Sequence, residues 1–336
     1  MTMLSRMINV GTAVHKPGSI VRGTVKVAEL CDGADLDVPV CLLCGKEPGP
    51  TLWLLNGIHG NEFVGLRAIQ KIKDFHHSLD FKGTLVLVPI VNITAYRAKA
   101  RSSPLDGLDM NRIWPGNSID RAIHLFAHSE LVVDRIVKEI VETGGFVISM
   151  HDGSTIATCA PYVGYFPHKE GELAEQMARA AAVTGFEFVW ARSADYLRRQ
   201  QPGTANQILS ELGIPSLLFE AGGVGVADES VQVILNGVLN VMHELGMTSE
   251  QASQPVRQKH IQEALWLRAT RGGLYIPFSP VAQATKSGEA LGVITDLFGD
   301  ELASIVSPNA GWVITQRGIG PVHQGEFLVE IGLALE

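Results

Sequence analysis

The feature that most constrains the fold is an alternation of short apolar runs with longer amphipathic segments. Each apolar run stops at a glycine or a polar residue, as buried strands do. The runs lie at residues 51–57, 84–92, 146–153 and 214–223. The amphipathic segments have helical spacing of their apolar residues and lie at residues 61–77, 121–145, 171–185 and 228–246. This alternation predicts an α/β fold in which a mostly parallel mixed sheet is flanked by helices.

The pattern changes near residue 247, where a polar stretch without periodicity begins. Residues 247–260 read as a linker, and the strand-like pieces that follow are broken by glycine and proline. We therefore predict an α/β domain over residues 1–250 and a small all-β domain over residues 258–336.

Charge and composition narrow the class of protein. The chain of 336 residues is 46% hydrophobic and 18% charged, as ordinary globular proteins are. Its formal net charge of −8 argues against nucleic acid as a partner. No apolar run reaches the roughly 18 residues that span a bilayer, and the N-terminus lacks a signal-peptide pattern. We therefore expect a cytoplasmic protein with no membrane partner, whose four cysteines form no disulfide framework.

Potential metal ligands and acid–base residues lie at the ends of three predicted strands. His59 and Glu62 follow the strand at 51–57. His151 and Glu220 lie near the ends of two later strands. Because ligands bind where the carboxyl ends of strands meet in an α/β sheet, we expect these side chains to lie close together. Two histidines and a carboxylate leave one position open on zinc, which is typical of a catalytic site, and a further carboxylate can act as general base.

Four short motifs carry these residues and their neighbours, in the order GIHGNE, DMNRIWPG, SMHDG and FEAGG. As a set they resemble the succinylglutamate desuccinylase/aspartoacylase family, which is itself related to the zinc carboxypeptidases. The resemblance extends over about residues 35–335. It implies a zinc carboxypeptidase-like fold, one zinc ion per chain and a C-terminal β-domain of lipoyl-like or barrel type.

The resemblance assigns a metal site and a general base. The family's zinc ligands match His59, Glu62 and His151, and its catalytic glutamate matches Glu220. These roles are physically consistent, because zinc lowers the pKa of a bound water and a nearby carboxylate can transfer the proton.

The resemblance also assigns substrate contacts. Asn111 and Arg112 match a pair that holds a substrate carboxylate, and an arginine can grip such a group through two hydrogen bonds. Arg101 matches the arginine that polarises the scissile carbonyl, with Arg97 as the competing candidate.

The predicted function is zinc-dependent removal of the N-acyl group from an N-acyl amino acid or a related small amide that bears a carboxylate. Arg198 and Arg199 are open candidates for the arginine with which family members recognise a second acidic group, and Tyr275 is a candidate pocket residue. Two alternatives stay open: a carboxypeptidase-like hydrolase of short peptides, and a metal-retaining binding protein without turnover. The sequence leaves open the acyl group, the amino acid and whether the chain forms a homo-oligomer.

Overall fold

The computed structural model describes residues 8–75, 80–116, 127–167, 169, 171–193, 202–250, 252 and 256–334. The α-helices of this part are α1 (Val64–Phe75), α2 (Ile93–Ala98), α3 (His128–Thr143), α4 (Glu172–Val183), α5 (Ala205–Glu211) and α6 (Asp228–Glu244). Within the ranges described, none of these helices is long and apolar enough to cross a membrane.

The strands in the first part of the chain alternate with these helices. They are β1 (Asn9–Val10), β2 (Ala13–Val14), β3 (Ile20–Glu29), β4 (Asp35–Cys44), β5 (Glu47–Asn56), β6 (Lys82–Val88), β7 (Phe146–His151), β8 (Ala157–Tyr165), β9 (Phe188–Ala191) and β10 (Ser216–Gly223). The strands after α6 are β11 (Lys259–Arg268), β12 (Gly273–Pro277), β13 (Ala284–Thr285), β14 (Ala290–Thr295), β15 (Glu301–Val306), β16 (Gly311–Arg317), β17 (Gly320–Val322) and β18 (Phe327–Ala334).

One large mixed sheet organises the fold. Twelve strands follow the order β13-β16-β18-β11-β9-β8-β10-β7-β5-β6-β4-β3. Four adjacent strands of this sheet are parallel, because β5 pairs in parallel with β6 and β7, and β7 pairs in parallel with β10. The α/β fold with a large mixed sheet and helices is therefore the one that the sequence predicts.

The sheet as a whole is less parallel than the sequence predicts. Among its described strands, five pairings are parallel and seven are antiparallel. The connection between β3 and β4 spans only residues 30–34, and such a short connection joins neighbours in antiparallel orientation alone. The description "mostly parallel" thus holds for the strand groups β6-β5-β7-β10 and β8-β9-β11, and it is wrong for the sheet as a whole.

Two apolar cores lie on opposite faces of the sheet, and β5 shows how the sequence creates both. Leu52 and Leu54 pack into one core, while Trp53 and Leu55 pack into the other. Helices α1, α4 and α6 cover the first core, and α3 and α5 cover the second. Because both faces of the strand are buried, β5 reads as a continuous apolar run.

Two helices begin later than their sequence patterns indicate. Helix α1 begins at Val64, and the predicted start at residue 61 falls in the preceding loop. Helix α3 is described from His128, and the earlier part of the predicted helix, residues 121–126, lies outside the described residues. Gly144 ends α3 with a φ of 69°, a backbone conformation that favours glycine.

After α6, strands are the only regular secondary-structure elements among the described residues. Strands β12, β14, β15 and β17 make a separate antiparallel sheet of four strands. In contrast, β11 and β16 join the large sheet, because β11 pairs with β9 and β16 pairs with β8. The large sheet therefore crosses the expected boundary near residue 250, and the division into two domains stays a prediction.

Candidate active site

Three neighbouring strands bring four predicted site residues to one edge of the sheet. Glu220 on β10 pairs in register with His151 at the end of β7, while β7 also pairs in parallel with β5. His59 and Glu62 lie in the loop between β5 and α1. This loop packs tightly against α2, because a Cβ atom at Gly60 would lie 2.2 Å from a backbone atom of that helix. Only glycine fits there.

A cavity of about 370 Å³ opens over these strand ends. This volume is near the lower end of the range for small-molecule sites, roughly 300–1,000 Å³. The cavity walls include seven predicted site residues: His59, Glu62, Arg101, Asn111, Arg112, His151 and Glu220.

His59, Glu62 and His151 converge in a buried cluster. The Nδ1 atom of His59 lies 2.6 Å from Oε1 of Glu62, and Nδ1 of His151 lies 2.8 Å from Oε2. No member of the cluster is more than 3% exposed. One ligand atom from each residue lies within 4.8 Å of the other two, a spacing that suits one metal ion held by all three.

The chemistry of the cluster fits zinc. Burial by itself would raise the pKa of Glu62, but His59 and His151 lower that pKa well below its ordinary value, so the carboxylate is ionised. Nε2 of His151 is buried without a hydrogen-bond partner among the described residues. The His151 ring is therefore oriented by the contact of its other nitrogen, Nδ1, with Glu62. Two imidazoles and an ionised carboxylate are zinc ligands that leave a coordination position open.

Asp109 and Arg101 orient this cluster from one side. Nε2 of His59 lies 3.1 Å from Oδ1 of Asp109, the type of carboxylate contact that metal-binding histidines commonly make. Arg101 donates to Oδ2 of Asp109 from Nε at 3.3 Å and from Nη2 at 3.1 Å, and its Nη1 lies 3.6 Å from Glu62. The competing candidate, Arg97, is exposed and is not among the described residues that line the cavity.

Asn111 and Arg112 belong to a short 3-10 turn at the cavity wall, Met110–Arg112. Oδ1 of Asn111 accepts a hydrogen bond from the backbone N–H of Ala205 at 2.9 Å, which fixes the side-chain amide. Arg112 donates from Nη1 to the carbonyl oxygen of Asn111 at 2.8 Å. In the described part of the chain its guanidinium forms no salt bridge, so its charge is available to an anionic ligand.

Glu220 is half-buried and accepts hydrogen bonds from neutral donors. Its Oε2 accepts from the Tyr162 hydroxyl at 3.1 Å, and its Oε1 accepts from the Cys159 thiol at 3.7 Å. The Tyr162 hydroxyl in turn accepts from Nη2 of Arg192 at 2.9 Å. Burial raises the pKa of Glu220, and the charge of Glu62 adds to that rise. A carboxyl group with a raised pKa can both accept and donate a proton near neutral pH.

Asp152 joins the two loops that carry the candidate metal ligands. Its Oδ2 accepts hydrogen bonds from the backbone N–H groups of Phe63 and Val64, at 2.8 and 2.9 Å. Asp152 directly follows His151, and the two N–H groups directly follow Glu62. One carboxylate therefore holds the loop after β7 against the start of α1, which keeps His151 close to the candidate metal ligands His59 and Glu62.

Several cavity residues have no counterpart among the sequence predictions. They are Asp152, Cys159, Tyr162, Arg192, Trp266, Thr315, Phe327 and Glu330. The last four come from strands after α6, so the C-terminal part of the chain contributes to the cavity wall. Asp152 could have been predicted from the sequence because it directly follows the predicted ligand His151. The local sequence around the other residues does not indicate that they line the cavity.

Tyr275, a candidate pocket residue from the sequence, is not among the described residues that line the cavity. Tyr275 is fully buried in the core of the C-terminal strands, and its hydroxyl accepts a hydrogen bond from Nε2 of Gln316 at 2.6 Å. Its side chain packs in a core that includes residues of β14, β16 and β18. The other candidates, Arg198 and Arg199, lie outside the described residues.

The chain belongs to the succinylglutamate desuccinylase/aspartoacylase family, because the model of that family's catalytic domain matches residues 48–245, more than half of the chain. A curated relative is the N-alpha-acetyl-L-2,4-diaminobutyric acid deacetylase of Halomonas elongata, 24% identical over 219 residues. The matched region is 65% of this chain and 61% of that protein, so the chain spans less than two thirds of the relative's length.

Solved structures share the fold over nearly the whole chain. The product-bound ectoine utilization protein EutE (DoeB) from Ruegeria pomeroyi has a TM-score of 0.81 at 18% identity and covers 94% of this chain and 95% of its own. The succinylglutamate desuccinylase/aspartoacylase from Rhodobacter sphaeroides has a TM-score of 0.78 at 23% identity, with coverages of 94% and 96%. At these identities the likeness establishes the fold.

Proposed function

We propose that the protein is a zinc-dependent hydrolase that removes the N-acyl group from an N-acyl amino acid or a related small amide with a carboxylate. The main support is the convergence of His59, Glu62 and His151 beside Glu220 in one cavity. Membership of the family also supports it, and the Halomonas relative is by its name a deacetylase of an N-acetylated amino acid.

Glu220 moves the proton in this proposal. Zinc held by the His-Glu-His cluster would supply a Lewis acid that activates water and polarises the amide carbonyl. Glu220 accepts the proton of the attacking water and then passes it to the leaving amine. Its raised pKa suits both steps, and the hydrogen bond from Tyr162 keeps the carboxylate in place.

The arginines at the cavity bind the substrate. Arg112 binds the substrate carboxylate, with a planar guanidinium that can form two parallel hydrogen bonds. The amide of Asn111 adds a neutral contact in an orientation fixed by the N–H of Ala205. Arg101, which is oriented by its hydrogen bonds to Asp109, donates to the carbonyl oxygen of the substrate amide as negative charge develops on that oxygen.

Two other functions make different demands on the site. A carboxypeptidase-like hydrolase of short peptides would use the same metal ligands and the same Asn111–Arg112 pair, but a cavity of about 370 Å³ favours a small amide. Glu220, a carboxyl group with a raised pKa, lies beside the candidate metal ligands. A metal-retaining protein without turnover would not need such a group.

A turnover assay with zinc-loaded protein separates the three functions. The panel contains acetyl, formyl and succinyl derivatives of several amino acids, together with dipeptides of the same residues. Release of free amino acid from an acyl derivative, and not from the dipeptides, supports the proposal. Release from the dipeptides alone indicates a peptidase, and tight binding without release from any compound indicates a binding protein.

A further inference from the structure

Two polar side chains at the start of α5 line the cavity and have no role in the proposed reaction. Thr204, which directly precedes α5, is 5% exposed, and Asn206, in the first turn of that helix, is 3% exposed. Oγ1 of Thr204 and Nδ2 of Asn206 have no hydrogen-bond partner among the described residues. Because a buried polar group without a partner is costly, two such groups in one cavity wall indicate a binding site.

Thr204 does not use its hydroxyl to cap α5. A threonine at this position usually accepts a hydrogen bond from a backbone N–H of the first helical turn. The side chain of Thr204 makes no such bond, whereas the first N–H of the helix, that of Ala205, donates to Oδ1 of Asn111 at 2.9 Å. Asn111 thus satisfies one end group of α5 from another part of the chain, and the Thr204 hydroxyl stays available as a donor.

Asn206 is oriented by a residue of β7. Its Oδ1 accepts a hydrogen bond from Oγ of Ser149 at 2.6 Å, a separation typical of a hydroxyl donor. This contact uses the oxygen of the amide and leaves the N–H groups of Nδ2 for another acceptor. Ser149 lies two residues before His151 on β7, so both side chains point to the same face of the sheet. The Asn206 amide is therefore attached to the strand that carries a candidate metal ligand.

The start of α5 also packs against the turn that carries Arg112. The N–H of Trp114 donates to the carbonyl oxygen of Gly203 at 3.1 Å, and a Cβ atom at Gly203 would collide with the carbonyl oxygen of Arg112. Arg112 and Thr204 therefore belong to two segments in direct contact, and both residues line the cavity. This part of the wall offers a ligand one cation and two neutral donors.

We propose that Thr204 and Asn206 bind the substrate carboxylate together with Arg112 and make the site selective for a carboxylate over a neutral amide. That the substrate bears a carboxylate rests on the proposed function. A carboxylate accepts about four hydrogen bonds, and two parallel bonds from an arginine use one lone pair of each oxygen. Thr204 and Asn206 match the two lone pairs that remain. A primary amide would instead direct an N–H group at one of these donors, which disfavours its binding.

A structural water site is the competing explanation for these two groups. A bound water can accept hydrogen bonds from both donors and would satisfy them whether or not a ligand is present. In that role, the loss of either group would disturb the cavity wall and change the affinities for charged and neutral ligands by the same factor. The ratio of the two affinities therefore separates the explanations.

Binding of a matched ligand pair tests the proposal without relying on turnover. Isothermal titration calorimetry of the zinc-loaded protein at pH 8 compares N-acetylglycine with N-acetylglycinamide, which differ only in the carboxylate. The wild-type background is used if it hydrolyses neither compound, and otherwise the Glu220→Gln background, in which both should stay whole. We expect the acid to bind more tightly than the amide, and a wild-type site without this preference contradicts the proposal.

Two variants locate the preference at α5. Thr204→Val keeps the shape of the side chain and should lower the acid-to-amide affinity ratio about threefold to tenfold, because a hydrogen bond to a charged group is stronger than one to a neutral group. Asn206→Asp keeps an oxygen for Ser149 and places a negative charge where Nδ2 was, so the ratio should fall at least about tenfold.

Matched controls make the same changes elsewhere. Thr285→Val alters a threonine that is 4% exposed, Asn236→Asp alters a residue of α6, and neither position is among the described residues that line the cavity. Both controls should keep the wild-type ratio, and Thr204→Ser, which retains the hydroxyl, should keep it as well. An unchanged ratio in folded, zinc-loaded Thr204→Val and Asn206→Asp, or an equal loss for both ligands, overturns the proposal. If Asn206→Asp does not fold, the comparison of Thr204→Val with Thr204→Ser decides.

Turnover separates this proposal from the proposed function. If no acyl amino acid is hydrolysed, the deacylase function fails, while the affinity ratio still tests Thr204 and Asn206. If acyl amino acids are hydrolysed and neither substitution changes the ratio, the deacylase function stands and the assignment of these two residues to the carboxylate is refuted.

Discussion

The hydrogen bond from Tyr162 to Glu220 gives a quantitative prediction. Tyr162→Phe removes the hydroxyl that donates to Oε2 of Glu220 at 3.1 Å and leaves the ring in place. In wild type this hydrogen bond stabilises the charged form of the Glu220 carboxyl group more than its neutral form. The variant should therefore raise the pKa of Glu220 and move the acidic limb of kcat/KM to higher pH.

The size of the shift follows from the strength of this bond. A hydrogen bond to a charged group contributes roughly 1.5–3 kcal/mol, and a separation of 3.1 Å favours the weaker end. One pKa unit corresponds to about 1.4 kcal/mol. The acidic limb should thus move up by about one unit, so the variant loses most activity on the acidic side and least at high pH.

The assay is the pH dependence of kcat/KM for zinc-loaded wild type and variant with one acyl amino acid. Tyr165→Phe is the control, because Tyr165 lies on the same strand and does not line the cavity. The control should keep the wild-type profile. An acidic limb that is the same in Tyr162→Phe and wild type, within about 0.3 unit, would show that the bond does not tune Glu220 or that Glu220 is not the titrating base.

Three further predictions test the proposed roles. Metal analysis should find one zinc ion per chain in wild type purified without chelator and a sharp loss in His59→Ala; folded wild type that takes up no zinc contradicts the site. Glu220→Gln should keep zinc and substrate binding but lose about 10²–10⁴-fold in kcat, and near wild-type kcat would exclude it as the base. Wild type should favour a substrate carboxylate over its amide by about 2–5 kcal/mol in kcat/KM. Arg112→Ala should lose that preference, and an unchanged acid-to-amide ratio would assign Arg112 another role.

The central strands and the His59–Glu62–His151 cluster were predictable because their sequence signals are local. The strands β5, β7 and β10 are buried on both faces, so each reads as one apolar run with a polar residue at its end. The rule that strand ends meet at one edge then brings His59, Glu62, His151 and Glu220 together without knowledge of the strand order.

The rest of the cavity was not predictable, because it depends on which distant strands become neighbours. Tyr162 lies beside Glu220 only because β8 pairs antiparallel with β10. Thr315 meets Cys159 only because β16 pairs with β8. Such pairings are set by packing of the whole chain, and no periodicity within a strand names its partner. The same reason explains why Arg192, which lines the cavity together with Arg101 and Arg112, is not an arginine that the sequence suggested.

The pairing of β11 with β9 has a consequence for any shortened version of this protein. A chain that stops after α6 would still contain every predicted zinc ligand and Glu220. It would also leave one side of β9 without its neighbour, and β8 without its contact to β16. Open strand edges recruit other chains, so such a fragment should aggregate instead of working as a minimal enzyme. Chimaeras between relatives should therefore exchange the strands after α6 as a set, because this segment both pairs with β8 and β9 and lines the cavity.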